Sequence, residues 1–186
     1  KRGEVNIKGI DAADFPLVPS VDGADGVEFT GADLGQLIRR SAFAAADGKD
    51  TSRPALTGGR VGADGRHLLL AATDGYRLAV ARQEREGLEL PTLIVSARAL
   101  ELAGKLAAEA ETAALALKGS VAQLRYSSSG GRAWRSARLT VQTIDAKFPD
   151  YTVIMPKGRD TVATVDAAEL SRAVKLALLF AQDNSD

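Results

Sequence analysis

Thr73, Asp74, Tyr76 and Arg77 crowd around Gly75 in the string AATDGYRLAV, residues 71–80. A hydroxyl, a carboxylate, a phenol and a guanidinium at such spacing can do two kinds of work. They can orient a ligand through several donors and one acceptor. Or they can close a turn, with Asp74 accepting from nearby amides while Gly75 takes a backbone conformation open to glycine. Taken alone, the residues favour the turn. Other reactive groups are sparse. His67 is the sole histidine and there is no cysteine. A histidine-based triad, a multi-histidine metal site, a thiolate zinc site and a disulfide scaffold therefore find no residues in this chain. Asp11, Asp14, Asp64, Asp74, Asp145 and Asp150 stand mostly in turn-like contexts, which argues against the carboxylate cluster of a metal-dependent hydrolase or nuclease. The run Ser127-Ser128-Ser129-Gly130-Gly131 with Arg132 resembles a phosphate cradle but lacks its lysine and following helix. Trp134 reads as strand packing.

These residues sit in a chain of 186, of which 45% are hydrophobic and 26% charged. That composition fits a globular protein with one good core. Lys plus Arg and Asp plus Glu number 24 each. A tight electrostatic grip on nucleic acid calls for a clearly basic protein, so balance argues against one while leaving room for a locally basic face. Apolar runs such as Leu68–Ala72 are too short to span a bilayer, and no apolar signal region follows the basic start KRGEVNIKGI, which reads as the end of a strand. A cytoplasmic location fits both.

Residues 26–30 read as a strand. Thr30 or Asp33 can cap a helix running to about Ala46. Leu34, Leu37, Ile38, Ser41 and Ala45 recur at helical spacing along one stripe, with Gln36, Arg39 and Arg40 opposite. Residues 55–84 read as three strands, the first carrying Leu56, with Asp64-Gly65 as a hairpin turn and Asp74-Gly75 as a second. TLIVS is a strand, and Ser96 caps a second helix in which Arg98, Glu101 and Lys105 share one face and Leu102, Ala103 and Leu106 line the other. Strands follow at TAALALK, VAQLRYS and ARLTVQTID. The expectation is an α+β fold, two helices on a mostly antiparallel sheet, each helix with a cationic side turned away from it.

A repeat sets the domain plan. Ile10-Asp11-Ala12 precedes Phe15-Pro16, and Ile144-Asp145-Ala146 precedes Phe148-Pro149. After each come a short loop, a strand-like VEFT or TVATV, and an amphipathic helix containing Phe43 or Phe180. Both pairs of landmarks recur at nearly the same interval. The chain then holds the end of one unit, a whole unit, and the head of a third ending at Asn184-Ser185-Asp186, which predicts a fragment of a longer protein.

Four strings carry a family resemblance: ATDGYRLAV (72–80), LIVSARALELAGKL (93–106), IDAKFPDYTVIMP (144–156) and IDAADFPLVP (10–19). Together they resemble the bacterial DNA polymerase III sliding clamp, its beta subunit, along the whole chain. The resemblance implies a DNA-clamp fold with three similar domains per full chain. Residues 1–22 would end the first, 23–148 form the middle one, and 149–186 supply the linker and the start of the third. It further implies two chains closing into a ring around double-stranded DNA, helices lining the hole, to tether DNA polymerase III, other polymerases and repair proteins. A clamp loader is a further partner the resemblance implies. No bond is made or broken, so the chain is expected not to be an enzyme, and no cofactor is expected. Arg39, Arg40, Arg98 and Lys105 become candidates to face DNA, with Arg53 near the edge of the hole.

In that family the TDG-x-RL string borders a hydrophobic pocket for short peptides of partner proteins. By position the pocket would include Leu56, Thr73, Gly75, Tyr76, Arg77, Leu78 and Pro156, with Thr161 and Val162 as further contributors. Leu56, Leu78 and Pro156 offer apolar area for an anchoring side chain. Thr73 and Arg77 offer donors to orient it. A peptide-binding scaffold unrelated to DNA is the rival reading.

Overall fold

The computed structural model describes residues 8–21, 26–49, 52–129 and 134–181. Residues 1–7 of the strand expected at KRGEVNIKGI, the boundary at 22–23, Arg132 and the closing Asn184-Ser185-Asp186 lie outside them; Lys8, Gly9 and Ile10 are described and are not in a strand. The chain divides into two compact units, Lys1–Pro149 and Asp150–Asp186.

In the first unit, strand β1 (Gly26–Thr30) feeds directly into helix α1 (Gly31–Arg39). The Thr30 hydroxyl accepts from the Asp33 amide at 3.1 Å, which satisfies one of the orphan donors at the helix start. Leu34, Leu37 and Ile38 are buried along one stripe. The helix stops at Arg39, short of the expected Ala46. Buried Ser41 turns its hydroxyl back to the Leu37 carbonyl at 2.8 Å, and its amide bonds Ile38 one residue early. Local bonds of this kind compete with the helical ladder, and a 3₁₀ turn, Ala42–Ala44, follows.

The antiparallel sheet is divided in two. Strands β2 (Gly58–Ala63), β3 (His67–Thr73), β4 (Leu78–Glu84) and β5 (Leu93–Ser96) pair in the order β4-β3-β2-β5. Strands β6 (Thr112–Lys118), β7 (Val121–Ser127) and β8 (Ser136–Gln142) join β1 in the order β1-β6-β7-β8. Every pairing is antiparallel; Leu70, for example, faces Val61 on one side and Ala81 on the other. Leu56 lies outside the strands, in a 3₁₀ turn at Pro54–Thr57 with Pro54 at its start. Proline's fixed φ and missing donor suit the first turn of a helix and not a ladder.

Helix α2 (Ala97–Glu109) begins at Ser96, whose hydroxyl accepts from the Ala99 amide at 3.3 Å. It buries Leu100, Ala103 and Ala107. Leu102, expected on that side, is exposed. One core joins both sheets to both helices: Leu68, Leu70 and Val61 from one sheet, Phe29, Leu115 and Tyr126 from the other, and Leu37, Ile38, Leu100 and Ala103 from the helices. Each large apolar side chain so buried contributes about 1.5–3 kcal/mol. The helices come so close that a Cβ on Gly31 would lie 2.1 Å from the Ala110 carbonyl oxygen and 2.5 Å from that of Ala107. Only glycine fits there.

The second unit holds a 3₁₀ turn, Tyr151–Val153, and helix α3 (Ala167–Ala181). Asp150 caps the turn through the Thr152 amide at 3.0 Å. Asp166 accepts from the Glu169 amide at 2.9 Å at the helix start. The strand expected at TVATV does not form; residues 161–165 carry no strand pairing. A ladder needs a neighbouring strand to take its amides and carbonyls, and this unit supplies none among its described residues.

Candidate functional site

The string that opened the sequence reading is a tight turn between β3 and β4. The Asp74 carboxylate accepts from the amides of Tyr76 and Arg77, each at 2.9 Å. Thr73 donates its hydroxyl to the Arg77 carbonyl at 2.8 Å and accepts from the Gly75 amide at 3.1 Å. Gly75 takes φ +97°, a region that costs a side-chain-bearing residue strain. The Arg77 amide, then that of Tyr76, and the Arg77 guanidinium together hold the Asp74 carboxyl below the ordinary aspartate range.

A second layer supports the turn. Arg77 Nε donates to Asp74 Oδ2 at 2.9 Å, and its guanidinium sits 5.9 Å from the centre of the Phe43 ring. Arg53 donates to the Asp74 carbonyl at 3.4 Å, so the structure groups it with this turn. Tyr76 is 97% exposed, Leu78 is half-buried at the start of β4, and Leu56 is buried. Thr73, Gly75, Tyr76, Arg77 and Leu78 thus come together. Pro156, Thr161 and Val162 are exposed residues of the second unit. Sequence reasoning gave Phe43 no role here. The available signal was its position: it falls off the stripe of Leu34, Leu37, Ile38 and Ser41.

A second feature of the first unit is a groove beside α1 and α2. Arg39, Lys49, Arg98 and Lys105 line it together with Asp47 and Glu101, over apolar atoms of Ile38, Ala42 and Leu102. Arg40, at the end of α1, is exposed and not among its lining. Lys105 Nζ bonds Glu101 Oε1 at 2.8 Å, one helical turn apart. That bond first, and the charges of Lys105 and Arg98, lower the Glu101 carboxyl below its ordinary value. Four cations against two carboxylates leave the groove positive on balance, but its charge is muted. Lys49 escaped the sequence reading because it joins Arg98 and Lys105 only when the loop after α1 folds back, whereas Glu101 was already expected on their face of the helix.

Among the described residues, no group of three or more His, Asp or Glu side chains could hold a metal ion. No helix there is long and apolar enough to cross a membrane. His67 bonds Asp64 through Nδ1 at 3.1 Å in the β2–β3 hairpin turn, an exposed local pair.

Comparison with known proteins places these features in a family. Residues 28–150 match the model of the DNA polymerase III beta subunit, central domain. The beta sliding clamp of Synechococcus elongatus is 29% identical over 98% of this chain, the match covering 48% of that protein. That of Streptomyces coelicolor is 30% identical over 92% of this chain and 45% of its own length. The structure of Caulobacter crescentus pol III beta superposes with a TM-score of 0.72 at 28% identity, covering 89% of this chain and 44% of that one. The chain spans about half the length of the curated relatives it matches. It belongs to the DNA polymerase III beta subunit family.

Proposed function

We propose that the protein carrying this sequence is the sliding clamp of a replicative DNA polymerase. It encircles double-stranded DNA without reading its sequence, as a ring of two copies placed by a clamp loader. It tethers DNA polymerase III and other clamp-binding polymerases and repair proteins, and it performs no catalysis. In this reading residues 1–22 end a first domain, 23–148 form the middle one, and 149–186 begin a third. Its site of action is the cytoplasm. Arg39, Arg40, Arg98 and Lys105 face the duplex, and Leu56, Thr73, Gly75, Tyr76, Arg77 and Leu78 are the first unit's share of a pocket for partner peptides.

The observation that carries this reading is that one family-matched unit holds both the positive α1–α2 groove and the built turn at Thr73–Leu78. The physics agrees with the chain's charge balance. A topological link needs no tight phosphate grip, and many fixed ion pairs with DNA would oppose sliding. A few exposed, screened cations suffice. The pairing of Lys105 with Glu101 favours the rival reading, a peptide-binding scaffold with no DNA partner.

Loading the full-length protein on circular and on linear duplex separates the two. A clamp is retained on the circle and lost from free ends; equal retention on both, or on neither, refutes the ring. Calorimetry with a polymerase-derived clamp-binding peptide tests the pocket. Leu78→Ala and Arg77→Ala are expected to weaken binding while leaving the fold intact, and unchanged affinity in both would remove these residues from it.

A further inference from the structure

Arg77 is restrained from two directions. Asp74 takes its Nε, and the Phe43 ring lies 5.9 Å from its guanidinium carbon. Its terminal nitrogens make no hydrogen bond among the described residues, and its side chain is 60% exposed. Arginine side chains normally lose considerable rotamer freedom when they bind, and that loss subtracts from affinity. A guanidinium already fixed by a carboxylate on one side and an aromatic face on the other has less to lose.

Phe43 calls for an explanation of its own. It is 61% exposed, so burial does not account for a phenylalanine there. It stands in the 3₁₀ turn after α1, far in sequence from the β3–β4 turn that its ring meets. An exposed aromatic ring facing a cation gains from its quadrupole what it does not gain from the core.

We propose that Phe43 is a positioning residue of the peptide site. It holds the Arg77 guanidinium against Asp74 so that the terminal nitrogens are presented, as a pre-set fork, to an acceptor oxygen of the bound peptide. The inference rests on the peptide-pocket reading given above and adds to it a residue outside the TDGYRL string. Phe43 acts through Arg77 and need not touch the peptide.

The test is a double-mutant cycle on the full-length protein, read by fluorescence anisotropy of a labelled polymerase-derived clamp-binding peptide without DNA. Phe43→Ala is expected to weaken binding about three- to fivefold, with the melting temperature unchanged because the ring is exposed. Phe43→Trp retains wild-type affinity. In an Arg77→Ala background, Phe43→Ala has no further effect. Wild-type affinity in Phe43→Ala overturns the inference, and so does an equal loss whether or not Arg77 is present. If Leu78→Ala and Arg77→Ala also bind as wild type, the pocket reading itself fails and this inference with it. If those two weaken binding and Phe43→Ala does not, only the inference falls.

Discussion

Arg85, just past the end of β4, lies over the ring of Phe29 on β1, its guanidinium 5.4 Å from the ring centre. The same side chain donates to the Glu28 carbonyl, while its own amide is held by the Arg66 carbonyl at 2.7 Å. One residue thus ties the outer strand of one sheet to the outer strand of the other. Both strands are edges, and an edge carbonyl satisfied from within is not offered to another chain. Arg85→Ala is expected to cost about 1–2 kcal/mol, from a charged hydrogen bond and a cation–π contact together. Arg85→Lys should recover part of it, since an ammonium keeps the charge but not the planar fork. Urea melts of the three proteins read this directly; equal midpoints would show that the tie contributes nothing.

Gly31 controls how closely the two helices pack. Adding one methyl group puts it within 2.1 Å of the Ala110 carbonyl oxygen, and backbone cannot yield as a flexible side chain does. Gly31→Ala is expected to destabilise by about 1–3 kcal/mol. Gly48→Ala is the control, since a Cβ there meets nothing within 4 Å. A Gly31→Ala protein as stable as wild type in the same melt would mean that α1 and α2 are farther apart.

The caps were readable in advance because capping is local. Thr30 and Ser96 each accept the amide three residues on, and no distant residue has a vote. The end of α1 was not readable, because Ser41 is both a plausible member of the apolar stripe and the group that undoes the ladder from inside the core. Leu102 misled for a related reason: its neighbours Leu100 and Ala103 do face the core, and a leucine on the groove side looks the same in a sequence. The division into two sheets depends on β1 pairing with β6 across most of the unit, a long-range choice that no short pattern encodes. The TDGYR turn was legible as a turn. Its support by Phe43 and Arg53 was not, since both arrive from another part of the chain.

The Asp74 carboxyl carries a pH signature of fixed sign. Its folded pKa lies below the unfolded value, chiefly through the Arg77 and Tyr76 amides. Its contribution to stability is therefore complete above the unfolded pKa and disappears as pH falls through the folded one. Asp74→Asn should melt lower than wild type near neutrality, and the gap should close on acidification below the ordinary aspartate range. Carboxyl NMR of the wild type should show Asp74 titrating below a peptide aspartate. A midpoint at the peptide value would mean that the two amide bonds are not made in solution.

Glu101 decides how strongly the groove acts on DNA, if DNA passes along it as proposed. Lys105 is engaged by Glu101 at 2.8 Å, and both side chains are well exposed, so the pair is weak and exchanges with solvent. Arg98, which Glu101 attracts only at longer range, keeps more of its charge for a phosphate. Removing Arg98 should thus reduce contact with DNA more than removing Lys105. Glu101→Gln should do the reverse and free Lys105 for the duplex. Each added phosphate contact also steepens the salt dependence by about one counterion. Single-molecule tracking of the full-length protein after loading on DNA is the measurement. Glu101→Gln is expected to diffuse more slowly than wild type, most clearly at low salt, and Arg98→Ala faster. If neither substitution changes the diffusion coefficient at any salt concentration, this face of α2 does not meet the DNA.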